Sequence, residues 1–193
     1  NLEDYKNALL SYQQFSDLAK AKETAEFKNI NYNIAYANFK LKEYDAAGNS
    51  FQSQIDNNKV DKVRLNDSYL RLADCRFVTT KYQSALDAYI KVIESKSVDG
   101  DYAYFQKALC YGFLSKNSKK IEELNSFFTF YPKSDYQDDA LFELGNTYVA
   151  ENKQDLAIKT YDKLVANFKS SSYTSKAILR QGLVYYNSDR DDL

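Results

Sequence analysis

A tyrosine, an alanine three residues later and an aromatic residue seven residues later recur along the chain. Tyr5, Ala8 and Tyr12 form one copy, Tyr44, Ala47 and Phe51 the next, and Tyr82, Ala85 and Tyr89 a third. Gln154, Ala157 and Tyr161 keep the spacing with the first member changed, and Asn117, Lys120 and Leu124 make a weaker copy before them. The full copies start 39, 38 and 72 residues apart, the last interval spanning two steps. A constant period of about 20 to 50 residues marks a stacked array. A unit of that size cannot bury its apolar face alone, so neighbours must cover one another.

A second block lies between the copies. Ala35, Ala73, Ala108 and Gly145 each stand nine residues before the start of the next copy, preceded by Ile34, Leu72, Lys107 and Leu144. A small residue lets another helix approach, and a large apolar neighbour fills the interface. Each repeat therefore reads as two helices joined by a short turn, the small residue of the first facing the alanine of the second. One proline and five glycines in 193 residues agree with helices and short connections rather than many β-turns. First helices are expected at 24–41, 62–79, 101–115, 135–151 and 173–188, and second helices at 3–20, 44–58, 82–96, 118–131 and 154–169. This divides a single array over 1–193 into a half repeat 1–20, repeats 24–58 and 62–96, a degenerate repeat 101–131, a repeat 135–169 and a half repeat 173–193. Asp56-Asn57-Asn58 is expected to link two repeats. At Phe130–Tyr136 Pro132 ends one helix, Ser134 is the expected N-cap of the next, and Asp138 and Asp139 favour its first turn. The unpaired half repeats lead us to expect an array that continues in a longer chain, as does the absence of methionine.

Leu141, Leu144, Gly145, Tyr148, Ala157 and Tyr161, with Tyr69, Leu72, Ala73, Ala85 and Tyr89 in an earlier repeat and Pro132 at a repeat end, carry a resemblance to tetratricopeptide repeat proteins. The resemblance implies an all-α, right-handed superhelical solenoid of antiparallel helix hairpins, a role in protein–protein interaction, and first helices that line a concave face. Lys107 and Lys120 depart from the pattern at core places of the third repeat, so its helix pair is expected to be tilted or shifted; Asn38 and Arg76 also stand where an aromatic is usual. The stretches Tyr131–Tyr136 and Phe168–Tyr173, each followed by an alanine-led helix at Ala140 and Ala177, resemble bacterial cell-envelope repeat proteins of the outer-membrane assembly lipoprotein and Tol–Pal-associated type. That narrower likeness implies a periplasmic or envelope location, with the cytoplasm as the alternative.

On the face so implied the chain carries Tyr32, Tyr36, Phe39, Leu70, Phe77, Phe105, Leu109, Phe113, Phe142 and Tyr186. As a set they form an apolar and aromatic groove for a protein or peptide partner; singly, any of them can instead pack between adjacent first helices. A clamp for an acidic tail needs Lys, Arg and Asn on this face, and Tyr32, Tyr36, Leu70, Phe105 and Leu109 stand in those places, with Asn146 alone among them. A regulatory or sensor region of a larger enzyme, and a structural array that self-associates through its repeat ends, are the alternatives.

Other classes are disfavoured. With 26 basic and 27 acidic residues, formal net charge −1, there is no electrostatic case for nucleic acid. The chain has no histidine, which removes Ser–His and Cys–His catalysis. It reads as a non-enzyme with no cofactor and no metal. Asp138-Asp139 and the acids of 189–192 are better explained by capping and solvation than by an ion. Cys75 and Cys110 occupy equivalent offsets on helices whose axes should lie about 8–10 Å apart, which suits two buried thiols rather than a disulfide. No 18-residue apolar run is present.

Overall fold

The computed structural model describes residues 2–56 and 61–188. Among these are ten α-helices and two short 3-10 segments, with no strand: α1 (Leu2–Asp17), α2 (Ile30–Lys40), α3 (Tyr44–Ile55), α4 (Lys62–Val78), α5 (Tyr82–Glu94), α6 (Gly100–Phe113), α7 (Asn117–Phe130), α8 (Gln137–Ala150), α9 (Gln154–Asn167) and α10 (Thr174–Ser188). The all-α stack of helix hairpins is thus the expected one. Asn57, Asn58 and the acidic run 189–192 lie outside the described residues. The chain divides into two compact units, residues 1–103 and 104–193, with the division inside α6.

The recurring alanines and aromatics of α3, α5 and α9 lie in the core, whereas those of α1 are only partly covered. In the first unit, Ala47, Phe51, Ala85 and Tyr89 are buried together with Ala35, Ala73 and Cys75. In the second, Leu124, Ala157, Tyr161 and Leu164 are buried with Ala108 and Cys110. The helix pattern follows from spacing. On α5 the buried Ala85, Leu86, Ala88, Tyr89 and Val92 share one face, and Gln83, Ser84, Asp87 and Lys91 share the exposed one. What Gly145 meets, however, is not Ala157 but a ring: a β-carbon there would lie 2.4 Å from Tyr161 Cε1. A small residue is needed there because the Tyr161 ring of the second helix packs directly against that position of the first.

Every hairpin turn from α2 onward has the same build. Lys42, Thr80, Ser115 and Asn152, two residues before the second helix, have positive φ of 64°, 60°, 57° and 55°. The following amide reaches back five residues, as in Glu43 N to Asn38 O (2.9 Å), Lys81 N to Arg76 O (2.8 Å), Lys116 N to Tyr111 O (2.8 Å) and Lys153 N to Tyr148 O (2.9 Å). This left-handed helix end satisfies the last carbonyls of the first helix, and it usually recruits glycine. None of the four turns does.

Two boundaries differ from expectation. The helix expected from residue 24 starts at Ile30, after 3-10 turns over Ala19–Glu23 and Glu26–Asn29. The buried Gln54 side chain explains the break. Its Nε2 donates to Lys28 O and its Oε1 accepts from Tyr32 N, each at 3.2 Å, so one amide takes the place of the i to i+4 bond that would carry the helix back through Lys28. Ser134 is not the N-cap of α8. Tyr136 holds that position without a side-chain cap, and Ser134 Oγ accepts the Tyr136 N–H at 3.2 Å. Ser171 does the same for Tyr173 (3.0 Å) before α10, so the two look-alike loops share one turn.

Candidate binding surface

In the first unit the expected anchors are largely engaged with their own neighbours. Tyr32 stacks on Tyr36 with ring centroids 6.1 Å apart and meets the buried Phe51 edge-on at 6.0 Å. Phe39 lies edge-on to Tyr44 (5.7 Å) and Phe77 to Tyr82 (5.5 Å). Tyr32, Tyr36, Phe39 and Phe77 are half-buried, whereas Leu70 is buried at 3% exposure. Leu70 is thus covered by the protein itself rather than displayed.

A polar chain that the sequence reading missed crosses this face. The Tyr32 hydroxyl donates to Asp67 Oδ2 (2.8 Å), and Arg71 pairs with Asp67 at 3.4 Å and with Asp74 at 3.3 Å. Asp74 Oδ1 in turn accepts from Tyr89 (2.9 Å) and Tyr102 (3.0 Å). The Arg71 guanidinium lies 5.7 Å from the Phe39 ring centroid. Burial works against the Arg71 charge, but Asp67 and Asp74 outweigh it and hold its pKa above the ordinary value. For Asp74, burial dominates over the two phenols and Arg71, and pushes the carboxyl above the usual range. Asp67, Arg71 and Asp74 sit at i, i+4 and i+7 on α4, a spacing that in sequence is indistinguishable from a solvated charged stripe.

The second unit is more open. Leu109, Phe113, Asn117, Lys120, Glu143 and Asn146 line a cavity of about 350 Å³ between α6, α7 and α8. Asn146 also lines a second cavity of about 620 Å³, with Val149, Tyr161, Arg180, Leu183 and Asn187 of α8, α9 and α10. Both border α8, and they share Ala150 as well. Phe113 is 57% and Tyr186 56% exposed, and Leu109 is half-buried. Phe142 is half-buried and its ring centroid lies 4.9 Å from that of Tyr173. Phe105, at 5% exposure, packs on Tyr136 (5.7 Å) and Phe127 (6.3 Å), so like Leu70 it belongs to the wall and not to the surface.

The lysines that depart from the repeat pattern are paired. Lys120 Nζ lies 2.6 Å from Glu143 Oε2, and Lys107 Nζ lies 2.6 Å from Glu123 Oε2 and 3.9 Å from the Tyr104 ring centroid. Asn117 donates to Glu151 at 2.8 Å. Asn146 Oδ1 accepts the Tyr161 hydroxyl at 2.8 Å, and burial pushes that phenol up to about 12. Cys75 and Cys110 are buried and free, their thiols pushed up to about 12 by burial, which keeps the reactive thiolate scarce. Among the described residues no group of three or more Cys, Asp or Glu side chains is arranged to hold a metal ion, and no helix is long and apolar enough to cross a membrane.

Residues 139–171, which hold most of α8, all of α9 and the start of the loop after it, match the tetratricopeptide repeat family. Known structures with this fold extend the likeness over most of the chain. The fold is that of a tetratricopeptide-repeat solenoid. The crystal structure of MamA is 18% identical over 85% of this chain and 88% of its own, with a TM-score of 0.68. YrrB, described as a TPR protein with an unusual peptide-binding site, is 16% identical over 91% of this chain and 84% of its own, at 0.70. BtubC from P. vanneervenii is 13% identical over 97% and 83%, at 0.69. No curated protein matches the chain. None of these three is described as an outer-membrane assembly lipoprotein or a Tol–Pal factor, so the narrower likeness gains no support here.

Proposed function

We propose that the chain is a protein-interaction scaffold whose second unit holds a partner's peptide or helix along α8. One observation carries this reading: two cavities, each with an apolar wall, border α8 and share Asn146 and Ala150. Leu109 and Phe113 wall the first and Val149 and Leu183 the second. Burying two or three partner side chains against them supplies affinity through apolar area, at roughly 25 cal/mol per Å² removed from water. Asn146 uses its carbonyl on Tyr161, which leaves its amide as a donor for a partner main chain. The polar residues at the cavity edges, Lys120, Glu143 and Arg180 among them, fix orientation more than affinity. A peptide-binding site in YrrB, a protein of the same fold, is consistent with this use of the surface.

In the first unit, Tyr32, Tyr36, Phe39 and Phe77 contribute a second, weaker surface, since their rings are committed to neighbours and the Asp67–Arg71–Asp74 chain lies across it. A random peptide library displayed on phage and selected on this 193-residue protein tests the reading. Selected peptides are expected to carry at least two apolar anchors and to lose tenfold or more in affinity to Leu109→Asp or Leu183→Asp, with unchanged circular dichroism. The control Val63→Asp, on the outside of α4, should change nothing. Affinity retained in both cavity variants, or lost equally in the control, overturns the proposal.

A further inference from the structure

The cavity between α6, α7 and α8 and the one between α8, α9 and α10 are two copies of one site. Of the nine residues that line the first, eight have a counterpart 37 residues later in the lining of the second. Gly112 becomes Val149, Asn117 becomes Gln154, Glu143 becomes Arg180 and Asn146 becomes Leu183. The wall that α10 gives the second cavity is therefore the one that α8 gives the first, and α8 does so with α9 packed against its other residues Leu141 and Tyr148.

The copies differ most in charge. The ninth residue of the first, Lys120, has as its counterpart the buried Ala157, which does not line the second cavity. The first cavity thus holds a cation and an acid that satisfy each other, with Lys120 Nζ 2.6 Å from Glu143 Oε2. In the second, the lysine is gone and the acid is replaced by Arg180, an exposed residue and the one charge among the lining side chains. The other polar groups there are the amides of Asn146, Asn152, Gln154 and Asn187 and the Tyr161 hydroxyl, which donates to Asn146 Oδ1. A guanidinium with no acid on its wall is matched by a carboxylate, which accepts two of its N–H groups in parallel.

We propose that the second cavity reads an acidic side chain of the partner through Arg180, about three residues along the partner from the apolar side chain held in the first. This rests on the reading above, that the partner lies along α8. Packed helices lie about 8–10 Å apart and an extended chain advances roughly 3.3 Å per residue, which sets the spacing of about three. The contact also fixes direction, because Glu143 opposes an acid placed at the first cavity. A net charge of −1 gives the chain no general pull on acids, so the preference is local to Arg180.

A peptide library fused to the phage coat protein through its C-terminus tests this, since only side chains can then supply the carboxylate. Selection on the wild-type chain is expected to enrich Asp or Glu about three residues from an apolar anchor, and selection on Arg180→Glu to enrich Lys or Arg at the same place. Replacing the acid of a selected peptide by Gln should weaken its binding to wild type about fivefold and leave its binding to Arg180→Gln unchanged, with the circular dichroism of both variants that of wild type. Acid-free peptides from the wild-type selection, or equal losses on both proteins, overturn the proposal. Where such peptides still lose tenfold or more to Leu109→Asp, the placement along α8 stands and only the acid is refuted. Peptides indifferent to Leu109→Asp and Leu183→Asp overturn both.

Discussion

The hairpins α6–α7 and α8–α9 share a plan and close in different ways. In α8–α9 the Tyr161 ring lies against Gly145, its hydroxyl reaches Asn146, and Leu141 and Ala157 seal the contact. In α6–α7 the place of Ala157 is taken by Lys120, whose stem crosses Gly112 and whose ammonium leaves the hairpin to meet Glu143 of α8. Lys107, in the place of Leu144, turns to Glu123 of α7. The difference teaches that hairpins of one plan can close by different chemistry. The Tyr161 ring packs on Gly145. Lys120 instead crosses Gly112 and satisfies its charge at the rim, lining the 350 Å³ cavity with Gly112 and Leu109, while Tyr161 lines the 620 Å³ one.

The largest effect should separate the two hairpins outright. Gly145→Val must displace a fully buried ring from a distance of 2.4 Å, and is expected to cost about 3 kcal/mol in urea denaturation. Gly112→Ala places its β-carbon 2.9 Å from Lys120 Cδ, in a flexible chain that can swing, and should cost less than about 1 kcal/mol. Equal losses would break the contrast between a ring-closed and an ion-closed hairpin.

The next tests sharpen the ion-paired side. Lys120→Met and Glu143→Gln should each cost about 1–2 kcal/mol, because each leaves a largely desolvated group without its partner. The double variant should cost clearly less than the sum of the two, and strictly additive losses would show that the pair contributes nothing. In the first unit, Asp74→Asn keeps an oxygen for Tyr89 and Tyr102 while removing a carboxylate that burial disfavours. Because the folded-state pKa of Asp74 lies above the unfolded one, its contribution is fully present below the unfolded carboxylate range and is lost as pH rises through the folded value. The Asn variant should therefore lose that part of the pH dependence, with stability at pH 7 within about 1 kcal/mol of wild type. An unchanged profile between pH 3 and pH 7 would contradict this. The smallest effect is expected at a turn. Thr80→Gly relieves a β-branched residue at positive φ and should stabilise by up to about 0.5 kcal/mol, the gain being offset by the freer unfolded chain.

The fold was legible because its core repeats. Ala47, Phe51, Ala85, Tyr89, Ala157 and Tyr161 are nearly inaccessible, and their spacing is written along the chain. The turns were less so, since Lys42, Thr80, Ser115 and Asn152 take a conformation that glycine would have announced. The break before α2 depends on Gln54, 26 residues away from the carbonyl it intercepts, and nothing local signals it. On the binding face, periodicity placed Leu109, Phe113 and Asn146 on one side of their helices but could not separate them from Leu70 and Phe105, which differ only in how closely the neighbouring helix approaches. The pairing of Lys107 and Lys120 was hidden for the same reason: Glu123 and Glu143 are distant in sequence, and a lysine in a core slot looks like a defect until its partner is in view.

The central claim is that a partner segment lies along α8 across two cavities. Nuclear magnetic resonance of the isotopically labelled protein, titrated with a library-selected peptide, measures this directly. Amide and methyl shifts are predicted to concentrate at Leu109, Phe113, Asn146, Val149 and Leu183. Shifts concentrated on the outer residues of the second helices, such as Leu156 and Lys163, with the cavity residues unmoved, would contradict it.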